Sequence, residues 1–424
     1  MSQASPEIAK SLRINGMSVN FHDRGEGDPI LLIHGSGPGV TAWANWRTII
    51  PELETSHRVV APDMAGFGYT ATDPDLPMVP DVWVCQIVDL MDALGIGRAV
   101  LIGNSFGGAV ALATAARHPE RVSGMVLMGA VGTSFPIGEG LEKVWGYRPS
   151  LEAMRDLLHT FAYDGSIITD DLVEMRYRAS IRADVQDRFA KLFPPPRQRG
   201  VDMLALDDAT LAHIDVPVAV VHGRDDRVIP FAVAELLREK LPDATLHPIE
   251  ACGHWVQIER RDEFLSVVHE LLGRVASKEA ARRSPAAAIE GRWGILAWRQ
   301  DYDDGRVVLP MGERPTGFIQ YGGGRMVAMI TAGDRQKFTT GGQWDASTEE
   351  KARAYETGLF YSGPYRVEGD TVFHEVEIAS FPNWAGVVQK RRIRFDGERL
   401  ALTARLDDGT GEARTAVLEW RRLA

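Results

Sequence analysis

The sequence has only two cysteines, Cys85 and Cys252, among its 424 residues. Two cysteines are too few for a disulfide framework, which fits a reducing compartment. Positive charge is also scarce, because 47 basic residues compare with 58 acidic residues and give a formal net charge of −11. The arginine clusters are few and short as well, so we expect no nucleic-acid partner.

Targeting signals and long apolar runs are absent too. The N-terminal stretch Met1–Glu7 lacks the basic-then-apolar pattern of a secretory signal peptide. No uninterrupted apolar run is long enough to cross a bilayer. We therefore expect a cytoplasmic protein without a membrane partner. Because Cys252 has no clustered ligands, we predict it to be a small buried residue, and we expect neither a metal site nor a cofactor.

Apolar residues, by contrast, are plentiful, at 45% of a chain that exceeds a typical single domain. We therefore expect two folding units. The polar, alanine-rich segment 277–288 separates helix-like from strand-like sequence. It predicts a linker between a first domain at 1–276 and a second at 289–424.

The first domain is organised around a G-x-S-x-G motif centred on Ser105. An apolar strand is predicted before it, at 98–102, and an alanine-rich helix after it, at 108–117. Such a sharp strand-to-helix turn strains the backbone of the serine and lifts its hydroxyl clear of the sheet. The N–H of Phe106, at the start of the helix, can stabilise negative charge on a bound carbonyl oxygen. The motif predicts a nucleophile and half of an oxyanion hole.

Strands and helices alternate along the rest of this domain. Apolar runs predict strands at 29–33, 58–61 and 122–128, and the spacing predicts a helix over 81–94. Upstream, residues 12–24 alternate around Asn15-Gly16, which suits a tight hairpin. The order is typical of an α/β fold with a doubly wound parallel sheet, whose ligands bind beyond the carboxyl ends of the strands.

A glycine-rich loop, His34–Gly39, follows the strand at 29–33. Its freed N–H groups can face the Ser105 turn across the top of the sheet. We predict that the N–H of Ser36 is the second oxyanion donor and that His34 is a hydrogen-bonded structural histidine.

From about 132 to 208 the strand pattern stops, and helical, aromatic and arginine-rich sequence predicts an inserted cap over the Ser105 site. Strands resume at 217–222 and 245–249 and precede Asp226 and His254, respectively. Serine, aspartate, histidine is the order of a catalytic triad in this fold. The imidazole takes the serine proton, and a buried carboxylate holds the imidazole in the right tautomer. Asp225 is the rival acid, but the fourth position of a G-x-x-D turn favours Asp226.

The second domain consists of short alternating segments separated by turns such as Asp303-Asp304-Gly305, which predicts an antiparallel barrel. One helix is predicted at 347–358. His374 alternates with Val372 and Val376, so its side chain is predicted to point into the barrel. Two hypotheses follow: His374 is a hydrogen-bonded core residue, or it anchors a ligand in a small-molecule cavity walled by Trp384 and Trp298.

Four motifs of the first domain carry a family resemblance: His34–Gly39, Gly103–Gly108, Gly223–Asp226 and Cys252–Trp255. Together they resemble the meta-cleavage product hydrolases, carbon-carbon bond hydrolases of the α/β-hydrolase fold. The cap stretches Val144–Tyr147 and Phe193–Gln198 are similar to the branch that acts on single-ring substrates, such as 2-hydroxymuconic semialdehyde. In the second domain, Gly291–Trp293, Tyr361–Tyr365 and Phe381–Trp384 resemble a bacterial lipocalin-like domain.

The resemblance assigns roles residue by residue. It implies that Ser105, Asp226 and His254 form the triad and that Ser36 and Phe106 are the oxyanion donors. The residues implied to position the substrate are Asn45, Asn104, Arg176 and Trp255.

The implied activity is hydrolysis of a carbon-carbon bond in 2-hydroxy-6-oxohexa-2,4-dienoates, the ring-cleavage products of monocyclic aromatic catabolism. Arg176 would hold the carboxylate and the 2-oxo group, His254 would shuttle a proton, and Ser105 or a water activated through it would attack the 6-carbonyl. Two other functions suit the same residues, a carboxylesterase or lactonase and a non-catalytic small-molecule sensor. We expect a small-molecule substrate and a homo-oligomer.

Overall fold

The computed structural model describes residues 5–183, 185–282, 284–406 and 412–423. The chain divides into two compact units, one ending at Lys278 and the other beginning at Glu279. Some positions of the predicted segments lie outside the described residues, namely 1–4 in the N-terminal stretch, 184 in the cap, 283 in the linker, and 407–411 and 424 in the second domain. No helix within the described ranges combines the length and apolar character needed to span a membrane.

A mostly parallel sheet forms the centre of the first unit. Its strands are β1 (Lys10–Ile14), β2 (Met17–Arg24), β3 (Pro29–Ile33), β4 (Arg58–Pro62), β5 (Ala99–Asn104), β6 (Val122–Met128), β7 (Val218–Gly223) and β8 (Ala244–Ile249). Within the described residues their order across the sheet is β1-β2-β4-β3-β5-β6-β7-β8. Strand β2 is antiparallel to β1 and β4, and the strands from β4 onward along the sheet are parallel. The predicted α/β class is confirmed.

The helices of the first unit pack on both faces of this sheet and, between β6 and β7, form the cap. They are α1 (Ala42–Trp46), α2 (Ile50–Leu53), α3 (Pro80–Ala93), α4 (Phe106–Arg117), α5 (Glu139–Trp145), α6 (Leu151–Phe161), α7 (Asp170–Ser180), α8 (Val185–Leu192), α9 (Gln198–Leu204), α10 (Asp208–Ala212), α11 (Phe231–Lys240), α12 (Val256–Glu259) and α13 (Arg261–Arg282). Successive strand side chains alternate between the faces. Leu101 packs in the core that contains α3 and α4, whereas Ile102 packs in the core that contains α13.

The helices α5 to α10 occupy the chain between β6 and β7, where the sequence predicts the cap. Their inward side chains, such as Leu157 and Leu192, belong to the same apolar core as Phe106 of α4. The cap therefore packs on the side of the sheet where the Ser105 turn emerges.

A closed antiparallel barrel forms the second unit. The elements are α14 (Pro285–Ile289), β9 (Gly291–Tyr302), β10 (Val307–Val308), β11 (Thr316–Gly322), β12 (Arg325–Thr331), α15 (Thr348–Glu356), β13 (Gly358–Glu368), β14 (Thr371–Glu375), β15 (Ile378–Ala379), β16 (Val388–Asp396), β17 (Arg399–Leu406) and β18 (Arg414–Arg422). Within the described residues, pairing of β18 with β9 closes a ring of eight strands, and β10 and β15 pair at its rim with β9 and β13. The predicted barrel is confirmed.

The segment predicted as a linker is largely helical. Helix α13 continues through Ser277 to Arg282, and α14 begins at Pro285. Lys278 forms ion pairs with Asp215 and Asp243 of the first unit, which holds this end of α13 in place. A polar, alanine-rich composition is equally compatible with helix, because alanine is the strongest helix former.

Candidate active site

The Ser105 turn has the strained geometry that the motif predicts. Ser105 lies between β5 and α4 with φ 53° and ψ −114°, in the region that residues with a side chain seldom adopt. A Cβ atom on Gly103 would lie 2.3 Å from the carbonyl oxygen of Gly107, and one on Gly107 would lie 2.2 Å from that of Ile33. The glycines are therefore required by close backbone approach, and they allow the turn to pack against β3.

Asp226 and His254 form a buried pair. His254 Nδ1 lies 2.7 Å from Asp226 Oδ2, and both side chains are almost fully enclosed. Asp226 Oδ1 accepts hydrogen bonds from the N–H groups of Val228 and Ile229 at 2.8 and 3.0 Å. Asp225 is exposed, so of the two candidate acids it is Asp226 that contacts the histidine.

A second histidine, His222 of β7, adjoins this pair and was not found from the sequence. Its Nε2 lies 2.9 Å from the Ile229 carbonyl oxygen and 3.2 Å from Asp226 Oδ2. Nε2 must carry a proton to donate to Ile229. Burial raises the pKa of the Asp226 carboxyl, but the charge of His254 and hydrogen bonding by His222 and His254 lower it by more, so the pKa lies well below its ordinary value. The carboxylate is thus held ionised.

Ser105 and His254 both line a cavity of about 240 Å³. The described residues form no hydrogen bond to the Ser105 hydroxyl, so the Ser105–His254 pair is not closed in this structure. Hydrogen bonds of this kind are often long until substrate binds.

One predicted oxyanion donor, Phe106, directly follows Ser105, and the other, Ser36, lies in the loop after β3. Phe106 is the first residue of α4, so its N–H has no acceptor within its own helix. Ser36 lies in the buried loop after β3 and lines the same cavity. The indole N–H of Trp145, from the cap, donates to Ser36 Oγ at 2.9 Å, and the indole ring stacks on Phe193 at 4.0 Å. The cap therefore fixes the position of this loop.

All four residues predicted to position substrate line this cavity: Asn45, Asn104, Arg176 and Trp255. Asn104 donates to the Met128 carbonyl oxygen at 3.3 Å, and Trp255 stacks on Phe161 at 5.0 Å. The Nδ2 atom of Asn45 is buried without a hydrogen-bond partner, as is Oε1 of Gln257, another lining residue. Buried polar atoms are rarely left unpaired, so these two atoms are available to a ligand.

Arg176 brings a partly buried positive charge to the cavity. Its Nη2 donates to the Pro38 carbonyl oxygen at 3.2 Å, and no carboxylate of the described residues forms an ion pair with it. Burial lowers the pKa of Arg176, the Glu7 carboxylate raises it, and the guanidinium groups of Arg47 and Arg182 lower it further. An arginine stays protonated throughout the physiological range. The cavity therefore holds a cation without a counter-ion.

Glu259 connects the cap to the histidine loop, and this connection was also not found from the sequence. Its Oε2 accepts hydrogen bonds from the N–H groups of Tyr163 and Asp164, at 2.7 and 3.0 Å, and its Oε1 accepts one from Gly253 at 2.9 Å. The N–H of His254 donates to the carbonyl oxygen of Phe161 at 2.7 Å. Cap residues 161–164 are thus joined to the loop that carries His254, Phe161 directly and Tyr163 and Asp164 through the Glu259 carboxylate.

Two nearby residues have the structural character that the sequence predicts. His34 is buried, its Nδ1 lies 2.7 Å from the Gly35 carbonyl oxygen and its Nε2 accepts from the Met64 N–H at 2.9 Å. Burial lowers the pKa of His34 to about 4, so it is neutral at physiological pH. Burial raises the pKa of the Cys252 thiol to about 12, which leaves it unreactive.

In the barrel, His374 points inward, as predicted, and is fully buried. Tyr321 Oη lies 2.8 Å from its Nε2 and Tyr361 Oη lies 3.4 Å from its Nδ1. Trp384 packs edge-on against Tyr361 at 5.7 Å. Both ring nitrogens of His374 have partners, which favours a hydrogen-bonded core residue; the alternative, a ligand anchor with Trp384, stays a prediction.

Comparisons with known proteins bear on both units. Residues 28–261 match the family described as alpha/beta hydrolase fold, and residues 290–423 match the lipocalin-like domain. The chain is 51% identical over 270 residues to the 2-hydroxymuconate semialdehyde hydrolase of Pseudomonas sp. strain CF600, with 64% of this chain and 95% of that protein covered. It is 48% identical over 272 residues to the 2-hydroxy-6-oxo-2,4-heptadienoate hydrolase of Pseudomonas putida F1, with 64% of this chain and 99% of that protein covered.

The fold of the first unit is also found among solved structures. A mutant meta-cleavage product hydrolase (CumD) from Pseudomonas fluorescens IP01, complexed with acetates, superposes with a TM-score of 0.63 at 49% identity. That match covers 64% of this chain and 99% of the other. These relatives correspond to the first unit nearly end to end.

Proposed function

This chain belongs to the meta-cleavage product hydrolases of the α/β-hydrolase fold, and we propose that it hydrolyses a carbon-carbon bond in 2-hydroxy-6-oxohexa-2,4-dienoates derived from single aromatic rings. The observation that carries the substrate class is Arg176, a partly buried guanidinium without an ion-pair partner among the described residues, in the cavity that Ser105 and His254 line. A guanidinium binds a carboxylate through two parallel hydrogen bonds. Plain esters have no group that needs this cation.

The cavity size supports a small substrate. Its volume of about 240 Å³ lies below the roughly 300–1,000 Å³ typical of sites for drug-sized ligands. Apart from Arg176 and a few amide groups, the walls are apolar, with Leu141, Val144 and Leu158 among them. Such a cavity suits a short dienoate better than one that carries a second ring.

Chemistry begins with a proton transfer. A 2-hydroxydienoate must gain a proton on carbon and become a keto form, because only then does the bond to be broken release a stabilised enolate. With the carboxylate on Arg176 and a substrate oxygen near Asn45 Nδ2, His254 carries this proton, and Asp226 stabilises the imidazolium that forms.

Cleavage follows at the 6-carbonyl. Ser105, or a water activated through it, adds to this carbon, and the N–H groups of Ser36 and Phe106 receive the negative charge on its oxygen. The carbon-carbon bond then breaks and its electron pair passes into the dienolate. Overall, one water is consumed and two acids leave, a 2-hydroxydienoate and the carboxylic acid formed from carbon 6.

The direct test is bleaching of the yellow ring-cleavage products of catechol and 3-alkylcatechols. We expect the protein to bleach them and Ser105→Ala to abolish bleaching with little effect on folding. His254→Ala should also block ketonisation, which is observable as a separate absorbance change before cleavage. Wild-type rates in either variant would contradict the assigned roles.

Arg176→Ala separates this function from a carboxylesterase. We expect a far larger loss on the dienoate than on p-nitrophenyl acetate, which has no carboxylate. Arg155→Ala is the matched control, because Arg155 also lies on a cap helix but is exposed and paired with Asp170. Equal losses on both substrates from Arg176→Ala would favour the esterase.

We also propose that the barrel is an accessory to assembly or stability and that the protein is a cytoplasmic homo-oligomer. The support is that relatives of this family span the first unit alone. A chain ending after α13 should keep its turnover per site and change its oligomer size, as measured by light scattering. A soluble, folded truncation that has lost bleaching would contradict the accessory role.

A further inference from the structure

A second cavity, of about 460 Å³, lies beside the one that contains Ser105. The two cavities share three lining residues: Ala44, Arg47 and Arg176. We call this second cavity the vestibule. Its other lining residues include Glu7 and Arg182 and none of the triad.

The vestibule carries excess positive charge. Arg47, Arg176, Arg178 and Arg182 line it, Arg178 is paired with Glu174, and Glu7 is the carboxylate that lies among the other three. That carboxylate already accepts hydrogen bonds from Thr41 and Tyr69, and its Oε2 lies 3.9 Å from Arg182 Nη1. Three guanidinium groups thus lie around one carboxylate, and the oxygen atoms of that carboxylate already have hydrogen-bond partners.

Arg47 stands where the two cavities meet. Its Nη1 donates to the Ala44 carbonyl oxygen at 2.9 Å, which is a bond within its own helical turn. Among the described residues, no carboxylate lies within ion-pair distance of Arg47, although the side chain is partly buried. A partly buried guanidinium without an ion pair favours an anion at that position.

From this arrangement we propose that the vestibule is the entrance for the anionic substrate, and that Arg47 contacts the substrate carboxylate on its way to Arg176. The inference rests on the proposed function, since it needs a substrate that carries a carboxylate. A cleft lined by one sign of charge, with low-dielectric walls, concentrates oppositely charged ligands and raises association rates by roughly 10–1,000-fold. Arg47 is then a specificity residue that favours anionic over neutral substrates.

The test compares Arg47→Gln with the wild-type protein on the dienoate at low and high salt, about 0.01 M and 0.5 M. At low salt we expect kcat/KM to fall about tenfold, with kcat changed less than twofold. The salt dependence of kcat/KM should flatten, because the screened charge is gone. Arg47→Lys keeps the charge and should retain most of the wild-type kcat/KM.

Three controls make the outcome specific. Arg155→Gln changes the net charge equally but lies outside both cavities, so it should leave kcat/KM and its salt dependence unchanged. Hydrolysis of p-nitrophenyl acetate should be unaffected by Arg47→Gln. In a Ser105→Ala background, the association rate constant of the dienoate, followed by its absorbance after rapid mixing, should fall about tenfold with Arg47→Gln.

The failures are distinguishable. If the wild-type protein does not bleach the dienoate, the proposed function is wrong. If the wild-type protein bleaches the dienoate but Arg47→Gln has the wild-type kcat/KM and salt dependence, the substrate enters elsewhere and the inference about the vestibule is wrong. If Arg47→Gln slows the neutral ester equally, Arg47 supports the fold of the site and does not select charge.

Discussion

Replacing Asp226 by asparagine tests the buried pair atom by atom. Asp226 Oδ1 accepts hydrogen bonds from the backbone N–H groups of Val228 and Ile229. The amide oxygen of the asparagine must therefore take the place of Oδ1, which leaves its NH₂ group where Oδ2 was, 2.7 Å from His254 Nδ1 and 3.2 Å from His222 Nε2.

That orientation forces the wrong tautomer on His254. An NH₂ group donates, so Nδ1 must accept and the ring proton moves to Nε2, where the imidazole can no longer take a proton from Ser105. Loss of the carboxylate in a serine triad by this change lowers kcat by about 10⁴-fold. At about 1.36 kcal/mol per factor of ten, this is about 5.4 kcal/mol of transition-state stabilisation.

Initial rates of dienoate bleaching measure this loss, and Asp225→Asn is the matched control. Asp225 is the exposed neighbour of Asp226 in the same turn, so its variant should keep the wild-type rate. A folded Asp226→Asn variant that retains a tenth of the wild-type kcat, or an Asp225→Asn variant that loses as much as Asp226→Asn does, would refute the assignment.

The same substitution changes acid stability. The folded-state pKa of Asp226 is lowered by its histidine partners, whereas its unfolded value is about 3.9. Its contribution to the free energy of unfolding is therefore present above about pH 4 and is lost as the pH falls toward the lower folded value. Urea melts below pH 4 should show a shallower loss of stability in Asp226→Asn than in the wild-type protein.

Three further substitutions test other contacts. Trp145→Phe removes the 2.9 Å hydrogen bond to Ser36 Oγ but keeps the ring stack, so kcat should fall several-fold while the urea midpoint changes little. Glu259→Gln places an NH₂ group against at least one backbone N–H, and the free energy of unfolding should fall by about 1–3 kcal/mol in urea melts. Tyr321→Phe leaves His374 Nε2 without its 2.8 Å partner, which should destabilise the barrel by a similar ~1–3 kcal/mol while bleaching is unchanged.

Short-range patterns explain what the sequence could predict. The strand, the turn and the helix around Ser105 are contiguous, and each triad member follows its own strand, so chain order identifies them. The predicted strand at 122–128 matches β6 residue for residue, because its apolar run is bounded on both sides. The choice of Asp226 over Asp225 depended on one position in a tight turn, which is a local feature as well.

The contacts that were missed join distant parts of the chain. Trp145 and Ser36 are 109 residues apart, and Glu259 and Tyr163 are 96 residues apart. No local pattern links such partners, since their meeting depends on how the cap packs over the sheet. His222 was missed for a different reason: it ends an apolar strand and resembles any buried strand residue until Asp226 is placed beside it.

The hydrogen bonds between cap residues 161–164 and the loop that carries His254 also limit how the cap can open. His254 shares a hydrogen bond with Phe161, and Gly253 shares the Glu259 carboxylate with Tyr163 and Asp164. If the cap opened at residues 161–164, the His254 imidazole would move away from Asp226. The enzyme would then be inactive until the cap closed again. Turnover is therefore fastest when residues 161–164 act as the hinge of the cap and when substrate and products pass at the opposite edge of the cap.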